Sequence, residues 1–99
     1  MKKALVLMLV AGAALPAAAD PKLAEKKNCM TCHAVDQKVV GPALKDVAKK
    51  YAGQSDASTM LAGKIAKGST GVWGSVPMPP NDVTPAEAKT LADWVLSMK

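Results

Sequence analysis

Cys29 and Cys32 stand three positions apart, His33 follows at once, and the chain contains no other cysteine or histidine. The run Cys29-Met30-Thr31-Cys32-His33 therefore confines all thiol and imidazole chemistry to one short stretch of backbone. Three uses of such a run compete. A redox dithiol of the thioredoxin type belongs beside a βαβ pattern, and no alternating strand pattern occurs here. A structural zinc site takes four ligands, usually Cys and His, and after these three residues the chain has none left. The remaining use is C-x-x-C-H attachment of a c-type haem: two thiols on one side of a helical turn add to the two vinyl groups, and the adjacent His points at the iron. Both cysteines are consumed, so an exported chain of this kind needs no disulfide.

Lys2 and Lys3 precede an uncharged stretch that ends in Ala17-Ala18-Ala19, the pattern of a secretory signal peptide. The uncharged run from Ala4 to Ala19 is 16 residues, short of the ~20 that a membrane-spanning helix needs. Cleavage after Ala19 is expected to leave residues 20–99 as one domain with no membrane span. A domain of that size rarely buries enough apolar surface without a staple. This one also has no Phe, one Tyr and two Trp, so the haem is expected to be its core. The 13 basic residues are all Lys; without Lys2 and Lys3, eleven face eight acidic residues, a net charge of +3. With no Arg and no basic run interleaved with aromatics, nucleic-acid binding is excluded. Lys26-Lys27 and Lys49-Lys50 read as solvated helix faces.

The spacing predicts an all-α fold of four helices. Asp20-Pro21 starts the first, running to about Asn28. Leu44, Val47, Ala48 and Tyr51 follow the i, i+3, i+4, i+7 rule after Gly41-Pro42, and Gly53 stops this second helix. Ala57, Leu61 and Ile65 lie one turn apart and Gly68 ends the third. Ser69 to Val83 reads as a long loop, since Gly71, Gly74 and Pro77-Met78-Pro79-Pro80 forbid regular structure. Thr84-Pro85-Ala86-Glu87 is a capping box, and Leu91, Trp94, Val95 and Met98 carry the last helix to the C-terminus.

A second axial ligand separates an electron carrier from an open reaction centre. Met30 lies inside the attachment run, Met60 on the third helix and Met98 on the last helix's apolar face. Met78 instead stands in the loop between Pro77 and Pro79-Pro80. A polarizable thioether on a stiff backbone suits haem iron, and Met/His ligation raises the reduction potential. The other use of Met78 is to plug the core. A peroxidase or gas-binding site would need a placed His or Arg over the open iron, and the single His is already proximal.

Four segments together, Cys29 to His33, Val39 to Val47, Gly71 to Asn81 and Leu91 to Leu96, resemble the short bacterial monohaem class I cytochromes c over nearly the whole of residues 20–99. The resemblance implies a four-helix fold around one covalently bound haem c, His33 and Met78 as iron ligands, and a Gly/Pro-rich loop closing the Met78 side. It implies that the Pro42 carbonyl accepts from the His33 ring, that the Trp73 indole reaches a haem propionate, and that the Asn81 amide supports Met78. Val39, Val40, Val76, Pro77, Pro79 and Pro80 match positions around the exposed haem edge. The implied function is single-electron transfer in the periplasm by a monomer with no catalytic residue. Its transient partners would be a donor cytochrome complex and an acceptor such as a terminal oxidase, nitrite reductase or peroxidase. Two positions depart from the pattern: Ala24 stands where relatives often have Phe, and Lys64 where they often have a propionate-contacting Arg or His. Lys cannot reproduce the forked contacts of Arg.

Overall fold

The computed structural model describes residues 21–98; the expected signal peptide and its cleavage point lie outside the described residues. Helix α1, Pro21–Lys26, ends two residues before the expected Asn28. The Lys27 amide still bonds back to the Leu23 carbonyl at 2.9 Å, but the Asn28 amide turns to Glu25 at 3.1 Å. Asn28 then adopts φ 66°, a left-handed conformation that Asn tolerates better than most residues. That break detaches the cysteine run from α1. The run forms its own 3₁₀ turn, Cys29–Thr31, and the Cys32 and His33 amides both donate to the Cys29 carbonyl, at 3.2 and 3.1 Å.

Helix α2, Leu44–Lys50, buries Leu44, Val47 and Ala48 and is capped by the buried Tyr51. Its first amides lack intrahelical partners and take the carbonyls that trail His33: Leu44 N–H donates to Ala34 at 2.9 Å and Lys45 N–H to Val35 at 3.1 Å. The attachment turn is thus docked on the start of α2. Helix α3, Ala57–Lys67, buries Ala57 and Leu61 and hands over to the loop at Gly68.

Helix α4, Pro85–Leu96, has both halves of the expected capping box. The Glu87 amide donates to Thr84 Oγ1 and the Thr84 amide to Glu87 Oε1, each at 3.0 Å. It ends at Leu96, so Met98 packs against the core from beyond the helix. Ala88, Leu91, Ala92 and Val95 form its buried stripe, which meets α3 most extensively and then α2 and α1. Ala24 of α1 is fully buried, and Lys27 pairs with Glu87 at 3.4 Å to fasten the end of α1 to the start of α4. The described residues contain no strand, only an isolated antiparallel bridge between Ser69 and Met78. None of their helices is long and apolar enough to cross a membrane.

Candidate functional site

Cys32 and His33, just after the 3₁₀ turn, and loop residues 69–79 border a cleft of about 370 Å³. Leu44, Val47, Leu61 and Val95 belong both to its lining and to the hydrophobic core. Cys32 and His33 reach it from the attachment turn, Met78 from the loop, and Trp73 and Val76 from the rim. A second hollow, of about 650 Å³, adds Cys29 and Asn81 and shares Cys32, His33, Met78 and Pro79 with the first. The two therefore meet at Cys32, His33, Met78 and Pro79.

His33 Nδ1 lies 2.8 Å from the Pro42 carbonyl oxygen. A carbonyl only accepts, so Nδ1 carries the proton and Nε2 is the nitrogen left to bind a metal. The ring is also wedged sideways. A Cβ at Gly41 would stand 2.6 Å from His33 Cε1, closer than side chains tolerate, so only glycine admits the imidazole here. The Val40 and Gly41 amides return to the Cys32 carbonyl at 3.2 and 2.7 Å, which holds that backbone against the attachment turn.

Cys29 and Cys32 are both half-buried free thiols. Burial pushes the Cys29 thiol up from its usual range, against a smaller opposing effect of a backbone hydrogen bond. A thiol held protonated is the opposite of an activated redox thiolate. Together, two free thiols, one imidazole with an open nitrogen, a thioether and an apolar floor fit a covalently bound haem.

Met78 is half-buried, and its backbone exchanges two hydrogen bonds with Ser69, at 3.0 and 2.8 Å. The Asn81 amide donates to the Ile65 carbonyl at 2.8 Å and, at 3.4 Å, to that of Pro79. Asn81 therefore ties the loop backbone next to Met78 to the end of α3. Trp73 is 40% exposed at the cleft rim. The Lys50 ammonium lies 5.7 Å from the ring centroids of both Trp73 and Tyr51. Sequence reasoning missed that contact, because nothing local links Lys50 to a loop tryptophan. Lys64 is half-buried and lines the cleft together with Lys38.

Known proteins resemble the chain over most of its length. The family described as Cytochrome c matches residues 17–99. Cytochrome c-552 of Hydrogenobacter thermophilus is 61% identical over 99 residues, covering all of both chains. Cytochrome c-552 of Nitrosomonas europaea is 61% identical over 93 residues, 93% of this chain and 87% of that one. The crystal structure of wild-type Nitrosomonas europaea cytochrome c552 superimposes with a TM-score of 0.79 at 63% identity, covering 81% of this chain and 100% of that one.

Proposed function

The chain belongs to the cytochrome c family and binds a covalently attached c-type haem, and on that premise we propose that it is an exported single-electron carrier whose iron is ligated by His33 and Met78. When bound, the haem supplies a metal centre that gains or loses one electron with no substrate bond made or broken. The residues of this chain fix how that centre behaves. Cys29 and Cys32 anchor the ring, and the Pro42 carbonyl orients His33 and raises its basicity. Met78 would supply the second protein ligand to the iron, and no residue is catalytic. The apolar floor keeps water from the iron, which with Met/His ligation favours the reduced form. Trp73 is the group assigned to a propionate, and Lys64 stands at the same cleft.

The observation that carries this reading is that His33 and Met78, 45 positions apart, line the same two hollows together with Cys32. Export to the periplasm follows from the signal-peptide pattern. Val39, Val40 and Val76 are exposed, Val76 at 62%, and with Pro77, Pro79 and Pro80 they give a small apolar rim. A rim of that size suits the brief, weak docking of a monomeric carrier with its redox partners.

Spectroelectrochemical titration of the holoprotein tests the reading. A reversible one-electron transition is expected, with a lower midpoint in Met78→Ala, since the thioether is lost. An unchanged midpoint in that variant would remove Met78 from the iron.

A further inference from the structure

Gly68 occupies the junction between α3 and the Met78 loop, with φ +91°. A Cβ at this position would lie 2.7 Å from the Met78 carbonyl oxygen, 3.1 Å from Pro80 N and 3.2 Å from the Pro79 carbonyl carbon. All three are backbone atoms, so no side chain can rotate aside to make room. Gly68 cannot retreat either, because its own amide closes the last turn of α3 onto the Lys64 carbonyl at 2.8 Å. Its neighbour Ser69 exchanges both backbone hydrogen bonds with Met78, and Asn81 reaches back across the same end of α3 to Ile65. The end of α3 thus grips the loop on both sides of Met78, at a distance only glycine permits.

We propose that Gly68 is the positioning residue for Met78: its missing side chain lets the end of α3 close on the loop backbone and present the thioether to the iron. This rests on the reading of Met78 as iron ligand. An alanine at Gly68 meets two penalties, a backbone conformation of φ 91° and ψ 173° that is essentially reserved to glycine and the contact with the Met78 carbonyl. The cheapest relief of the contact is to move the loop backbone, and that draws Met78 away from its place. A small shift of a ligand weakens its hold far more than it weakens the fold.

The test uses ferric holoprotein, imidazole as the competing ligand, and the Met-to-iron charge-transfer band as the spectroscopic signature. Gly53→Ala is the control, because Gly53 has a similar φ, +84°, with nothing within 4 Å of a new Cβ. Gly68→Ala is expected to bind imidazole about tenfold more tightly than the parent, equivalent to about 1.4 kcal/mol of lost positioning, and to show a weakened band. Gly53→Ala should lose stability while keeping the parental band and imidazole affinity. If Gly68→Ala matches Gly53→Ala in both readouts, the proposal fails although Met78 remains the ligand. Met78→Ala, run in parallel, must abolish the band; if the band survives, the ligand assignment itself falls and takes the positioning role with it. Should Gly68→Ala holoprotein not accumulate, Ser69→Pro addresses the same grip. It deletes the amide that bonds the Met78 carbonyl, and the same two readouts decide.

Discussion

His33 is oriented by the carbonyl of Pro42, and the bare backbone of Gly41 leaves room for its ring. The attachment run was legible in the sequence because no other thiol or imidazole exists in the chain, and the loop position of Met78 was legible from the prolines around it. The backbone partners of Met78 were not, since its pairing with Ser69 spans the loop and leaves no periodic trace. Lys64 carries a prediction at this scale. Lys64 lines the cleft, and a positive charge there would disfavour the ferric state. Lys64→Gln should therefore lower the reduction potential, by tens of millivolts at order of magnitude because solvent and salt screen the charge. Redox titration of the two proteins under one salt condition checks it; superimposable curves would place the ammonium in water.

Among the elements, α4 was readable almost to its ends because its signals are local: Thr84, Pro85 and Glu87 at the cap, then an apolar stripe at helical spacing. The end of α1 was less readable, since a left-handed Asn28 followed by a 3₁₀ turn resembles a continuing helix in sequence. The cap makes two testable statements. Thr84→Ala should cost about 1 kcal/mol, the usual worth of such a cap, measured by chemical denaturation at neutral pH. The Thr84 amide, and to a lesser degree the Lys27 charge, hold the Glu87 carboxyl below its ordinary range. A carboxyl that titrates lower when folded than when unfolded adds stability above the unfolded value, and loses it as pH falls through the folded one. Stability measured down the acid range should fall less steeply in Glu87→Gln than in the parent; parallel curves would show the carboxylate charge to be irrelevant.

For the whole molecule, four of the residues that define the core, Leu44, Val47, Leu61 and Val95, also line the cleft. Filling the cleft therefore extends the core of a domain with no Phe. Four helices and an all-α class followed from spacing alone, whereas the way α3 and the loop close on each other depends on long-range backbone contacts that no local pattern encodes. The double variant Cys29→Ala, Cys32→Ala, made without haem, should be largely unfolded by circular dichroism, because too little apolar surface is then buried; a cooperative melt would show that the chain folds unaided. The central claim is that His33 and Met78 would both ligate the iron, so that electrons pass and added ligands are kept out. Carbon monoxide added to the reduced holoprotein tests it most directly. The optical spectrum of the intact protein should stay unchanged at concentrations that fully convert Met78→Ala, whereas a stoichiometric spectral shift in the intact protein would reveal an open iron site and contradict the assignment as an electron carrier.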